Sequence, residues 1–361
     1  YAAITNPGQF FNTVLYTGNN AANAITGVGF QPDIVWIKRR DNTADHQLYN
    51  SLAGVQKATF PNLDNAEATE GGTRGLNAFN TDGFTLGAEV SDIAGSCNVN
   101  GGTYASWNWK TGTTGSGSTT GSGTSKSYTY SVNTTSGVSI MRYEGNSTSG
   151  HTVPHHLGAA PKIVFNKETG GTSWWFTFVS ALENAGKVLF LNDQSVESTQ
   201  AASFNSTAPS STVVTYGNDH DLNNNGQYYQ AICFAEKKGF SKFGKYTGNA
   251  STDGPFIYTG FKPAWVVLKT STTQTGHWRL SDNKRMPFNT SQANLFPSAN
   301  AAENTSPTGN GNDIEYYSNG FKITTDNVYT NGNGNSFIYM AFAENPLVAN
   351  VGDDGVPATA R

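Results

Sequence analysis

Three stretches of the chain are written on one template, and a chain copied in this way folds as a series of like units. The template opens at Tyr16-Thr17-Gly18-Asn19, Tyr143-Glu144-Gly145-Asn146 and Tyr246-Thr247-Gly248-Asn249. A proline follows at Pro32, Pro161 and Pro263, then a β-branched and aromatic run, and six residues past each proline stands a lysine: Lys38, Lys167 and Lys269. Further on, a glutamate recurs at Glu67, Glu197 and Glu303, once per copy, the pattern of a repeated structural contact. Copies 1 and 3 share a turn that launches a strand, at Asp82-Gly83-Phe84 and Asn319-Gly320-Phe321, which copy 2 lacks. Each copy closes on an aromatic run: Tyr104 to Trp109, Tyr229 to Glu236, Phe337 to Glu344.

Every shared segment is short, rich in Tyr, Trp, Phe, Val and Ile, and bounded by Gly, Asn, Asp, Ser or Pro, with no sustained helical stripe. The prediction is an all-β chain of tandem antiparallel β-sandwich modules, jelly-roll or concanavalin-like, with low helix content; a closed barrel is the alternative. Module 1 with an N-terminal leader spans 1–110, module 2 spans 128–238 and module 3 spans 239–346. The Gly/Ser/Thr stretch 111–127 has a linker's composition. Modules 2 and 3 meet with hardly a spacer, which implies that they pack together, and 347–361 is a short tail. Leader and tail are either frayed ends or arms that dock on neighbouring subunits.

Composition narrows the function. Charged residues are 13% of the chain and the net charge is -4, so no broad positive field exists to hold a nucleic-acid backbone. The longest apolar runs are about five residues, against the ~20 that span a bilayer, so neither membrane insertion nor a secretion signal is expected. Two cysteines, Cys97 and Cys233, are too few for a disulfide framework or a four-cysteine zinc site.

The repeat resembles a module of virion structural proteins of tailed bacteriophages, in which Tyr-Thr-Gly-Asn, Gly-Phe-x-Pro-x-x-Val-Trp-Ile-Lys, Asp-Gly-Phe and Ala-Phe-Ala-Glu recur in tandem. The matching stretches are Tyr16 to Asn19, Gly29 to Lys38, Asp82 to Phe84, Tyr104 to Lys110, Phe234 to Glu236, Tyr246 to Asn249, Ala341 to Glu344 and Pro357 to Arg361. The resemblance implies a fibre, tail-tip or capsid-fibre component, located on the virion or outside the cell. It also implies other virion subunits as partners, and a homo-oligomer, in one version a trimer. It supplies no catalytic residues, and the expected function is non-enzymatic contact with neighbouring subunits or the host surface. The alternatives are an extracellular carbohydrate-binding or glycan-degrading protein and a bacterial surface adhesin.

Hydrolase, nucleotide-binding and zinc-protease motifs do not occur, and no catalytic residue or cofactor is assigned. His151, His155 and His156 sit close together, but adjacent side chains on an extended segment face opposite ways, which favours a solvated loop over a shared metal. Asp219, Asp221, Asn223 and Asn225 place oxygens at alternate positions and would suit a structural calcium ion; an Asn-rich turn is the alternative. For contact with a host glycan or a subunit, the candidates are Trp174, Trp175, His277 and Trp278, because a ring covers the apolar face of a sugar and also packs at interfaces. If Trp174 and Trp175 lie on a strand, one of them must point outward.

Overall fold

The computed structural model describes residues 2–89, 96–289, 293–303 and 314–347. It is all-β and of sandwich type, and the two α-helices among the described residues, His220–Asn223 and Val328–Asn331, are single turns. Most of the tail 347–361, including Pro357 to Arg361, lies outside the described residues.

Each copy contributes a large sheet and a small one. In copy 1, strand Phe11–Thr17 pairs with Thr103–Trp109, which pairs on its other side with Ile34–Arg39. Val138–Glu144, Tyr228–Phe234 and Ile163–Glu168 repeat this arrangement in copy 2, and Ser241–Thr247, Ser336–Pro346 and Phe261–Thr270 repeat it in copy 3. The small sheets of copies 1 and 3 are built on the Gly-Phe hairpins, Leu76–Asn80 with Gly83–Leu86 and Ile314–Tyr317 with Gly320–Ile323. Copy 2 has no such hairpin. Its small sheet pairs His151–Pro154 with Val213–Tyr216 and takes a third strand, Thr120–Gly121, on the opposite edge.

That third strand comes from the segment expected to be a linker, and the expectation is corrected here. Thr113–Ser118 pairs along its length with Ser127–Asn133 and extends the large sheet of copy 2. Composition alone misses this because the order is supplied by the neighbouring strand. Tyr130 and Tyr128 lay their rings over Gly115 and Gly117, so closely that a Cβ at those glycines would stand 2.6 and 2.9 Å from ring atoms. A ring folded onto a cross-strand glycine fills the space the missing side chain leaves.

The central strands Ile34–Arg39, Ile163–Glu168 and Phe261–Thr270 are buried at every residue. Both faces of each large sheet are covered, which is why these strands read as continuous rather than alternating apolar runs. One face packs on the copy's own small sheet, giving three local cores. The other faces of all three large sheets meet in a single core shared by the copies. Trp109, Phe234 and Phe342 occupy the same place in their closing strands and form a triangle there, with ring centroids 6.2, 5.7 and 5.9 Å apart. The three sequence modules are therefore three sandwiches around one interior.

The copies close on one another in a cycle. Glu67 donates its backbone N–H to Thr169 O of copy 2, Glu197 to Ser271 O of copy 3, and Glu303 to Arg40 O of copy 1. A ring nitrogen repeats at each seam: Trp175 Nε1 donates to Phe60 O, Trp278 Nε1 to Phe190 O, and His46 Nε2 bonds Phe296 O. The recurrent glutamates thus mark the seams, two of them as ion pairs with the adjoining copy, Glu67 with Arg142 and Glu303 with Arg40. The leader is neither frayed nor a free arm: Ile4 is in the shared core and Ala3 N–H donates to Lys238 O. Ala2 and Pro346 both lie against Gly239.

Candidate functional site

The opening motif of each copy is a latch. Tyr16, Tyr143 and Tyr246 donate their hydroxyls to the carbonyls of Cys97, Leu222 and Thr330. The residue after each of these carbonyls is a buried asparagine, Asn98, Asn223 or Asn331, whose Oδ1 accepts the backbone N–H of Asn19, Asn146 or Asn249. Its amide in turn donates to two backbone carbonyls, those of Ala21 and Gly87, Thr148 and Gly217, or Ser251 and Thr325. The intervening glycine is required by close approach: a Cβ at Gly18, Gly145 or Gly248 would stand 2.1, 2.4 or 2.3 Å from a backbone oxygen. The three buried asparagines are equivalent, a relation that the fixed offset of six residues to Tyr104, Tyr229 and Phe337 would have disclosed.

This assigns Asn223 to the latch and divides the proposed calcium set. Asn223 is fully buried and its carboxamide is committed within the protein, whereas Asn225 is exposed on the following turn. Asp219 caps the one-turn helix, accepting Asp221 N–H at 2.9 Å and the Ser203 hydroxyl. Among the described residues no three His, Cys, Asp or Glu side chains converge as metal ligands.

The histidine group is likewise dispersed, and two of its members are not in solvent. His151 is buried and bonds Asn223 Oδ1 through Nδ1 at 2.7 Å; His155 is buried, with Nε2 on Ser210 O and Nδ1 accepting Leu157 N–H. His156 is exposed and stacks on Tyr130 with centroids 3.7 Å apart. Burial lowers all three below the usual imidazole range, His155 to about 4.

The recurrent lysines end the central strands with their ammonium groups turned inward onto backbone carbonyls. Lys38 reaches Arg39 O at 2.8 Å and Asn300 O of copy 3 at 3.3 Å, Lys167 reaches Glu168 O and Gly171 O at 2.6 and 3.2 Å, and Lys269 reaches Gln194 O and Ser195 O of copy 2 at 3.0 and 2.8 Å. Burial lowers Lys38 and Lys167 to about 8 and Lys269 to about 7. All three fasten loops rather than act on a ligand.

Of the four contact candidates, Trp175 and Trp278 are corrected: they are 0% and 1% exposed, with both indole N–H groups bonded across a seam. A ring with no accessible face cannot stack on a sugar. Trp174 does face outward, 42% exposed, with its edge on Phe190 at 4.7 Å. His277 lines a recess of about 240 Å³ between copies 2 and 3, together with Gln194, Arg279, Phe296 and Tyr329. Arg279 occupies the register position that Gln47 holds in copy 1 and Phe176 in copy 2. Its guanidinium lies between the rings of Phe296 and Tyr329 at 5.6 and 5.5 Å, and burial lowers it to about 10. A planar cation between two rings, open on one side to a polar recess, suits hydrogen bonding to a ligand's oxygen atoms. The repeat template drew attention to His277 but not to Arg279, because Arg279 is what differs between the copies.

No curated protein and no solved structure matches the chain. One family model does, over residues 6–346, a span that takes in all three copies and both seams between consecutive ones. The chain belongs to that family, the domain of unknown function DUF7483.

Proposed function

We propose that the protein is a non-enzymatic structural component of a virion, a fibre, tail-tip or decoration subunit that contacts neighbouring subunits or the host surface. The observation that carries this reading is the closed cycle of three sandwiches about one aromatic interior. Close-packed rings and buried polar latches resist deformation, and they leave the outer faces free to vary for contact. The resemblance of the repeat to phage virion modules supports the same reading. Homo-oligomerisation and an extracellular or virion location belong to the proposal.

Purified virions of the phage that carries the gene provide the test. Antibody raised to the recombinant chain is expected to decorate intact particles at a fixed position in electron micrographs, and mass spectrometry to find the chain at stoichiometric copy number. A chain recovered only from the particle-free lysate would overturn the reading, as would release of reducing sugar from a polysaccharide by the pure protein.

A further inference from the structure

On the outside of copy 3, the small sheet turns three rings toward solvent. Phe256 and Tyr258 alternate on one strand and so share a face, 46% and 59% exposed; Tyr317, on the far strand, is 38% exposed and meets Phe256 edge-on at 5.8 Å. Tyr258 and Tyr317 both lie opposite Gly320 on the strand between them, so the rings border bare backbone. The fold does not demand these rings, because copy 1 carries Ala24, Thr26 and Asn80 at the matching register positions.

Hydrogen-bonding groups are set among them. The Tyr317 hydroxyl donates to Glu315 at 2.5 Å, and Lys322 pairs with Asp253. Tyr258 is also a wall of a recess of about 400 Å³, whose lining includes Glu236, Ser241, Lys242 and Thr259. Within it, Glu236 and Lys242 are paired at 2.9 Å. Beyond these pairs, Lys238 also lines the recess and Glu315 stands on the sheet, one charge of each sign, so the whole surface offers hydrogen bonds with no net charge.

Rings with apolar faces, interleaved with neutralised polar groups and leading into a recess of ligand size, match a molecule with apolar C–H faces and a hydroxyl rim. We propose that this face of copy 3 binds a neutral saccharide chain. One sugar stacks on Phe256 and Tyr258, and its neighbour enters the recess, where Glu236, Lys242 and backbone groups take its hydroxyls. The proposal goes beyond the structural role above and does not depend on the chain's place in a virion.

The test titrates the whole chain with four neutral hexasaccharides, of the malto, cello, manno and N-acetylchito series, followed by calorimetry and saturation-transfer NMR. At least one is expected to bind, with affinity about tenfold weaker in Phe256→Ala and in Tyr258→Ala and unchanged in Trp174→Ala. The double variant F256A/Y258A, melting at the wild-type temperature, is expected to lose binding. Three outcomes would overturn the proposal: no hexasaccharide binds at millimolar concentration; the double variant binds as the wild type does; or sedimentation shows a wild-type dimer that the double variant dissolves, with no saccharide bound. Virion labelling succeeds or fails independently of all three.

Discussion

One carboxamide per copy joins the loops at the end of each sandwich, and its removal leaves several backbone groups without partners. Asn223→Ala takes the partner from Asn146 N–H, from His151 Nδ1 and from the carbonyls of Thr148 and Gly217. The expected loss is about 3 kcal/mol, since each orphaned buried group costs roughly 1–3 kcal/mol. Asn225→Ala, on an exposed turn, is expected to stay within about 0.5 kcal/mol, and urea denaturation measures both. Equal effects would show that the latch is not what holds Asn223. Much of this was legible in the sequence: Tyr16, Gly18 and Asn19 recur at fixed offsets because each serves a geometric need. Asn98 and Asn331 escaped notice, and Asn223 was read as a calcium ligand, because asparagine is common in turns and the burial of all three is decided by the loops around them. Histidine gives the residue scale its pH dependence. His155 takes up a proton near pH 6.5 when unfolded but only near pH 4 when folded, where burial and the Leu157 N–H on Nδ1 oppose a second ring proton. Its contribution is complete above pH 6.5 and is lost as the pH falls through 4. The midpoint of unfolding is expected to drop over that interval, and to drop less in His155→Gln; identical curves would assign the acid sensitivity elsewhere.

Among the elements, the strand Thr113–Ser118 shows how far local composition can mislead. Its glycines and serines have low strand preference, and its order depends on rings that belong to the next strand. Tyr130→Ala uncovers Gly115 and removes a contact of the kind worth up to about 1 kcal/mol. Amide exchange in residues 113–118 is expected to quicken several-fold, with exchange in Ile163–Glu168 unchanged; uniform quickening would mean that the ring supports the whole sheet. The central strands were readable from their apolar runs, and the Gly-Phe hairpins from their turn residues. The opposite fates of Trp174 and Trp175 were readable only in part. Both residues precede the strand Phe176–Val179, so strand alternation does not place them, and the Phe60 carbonyl of another copy decides which ring is buried.

At the scale of the whole molecule, the shared interior makes the three copies interdependent. Phe342 touches Phe11 and Trp109 of copy 1, Phe234 of copy 2 and Trp265 of its own copy. Phe342→Ala is expected to cost about 3–5 kcal/mol and to lower a single calorimetric transition. Residues 128–238 expressed alone, with Ile140, Phe165, Ile232 and Phe234 uncovered, are expected not to fold. Separate transitions for the copies, or a folded 128–238 fragment, would contradict this. The repeat announced the copies, whereas their closure into a cycle rests on seam contacts that vary: an imidazole at His46 stands where indoles stand at Trp175 and Trp278. The meeting of Ala2 and Pro346 at Gly239 bears on engineering. A short linker would bridge these two residues, so a circular permutant of residues 2–346 opened at an exposed loop is expected to keep the shared interior.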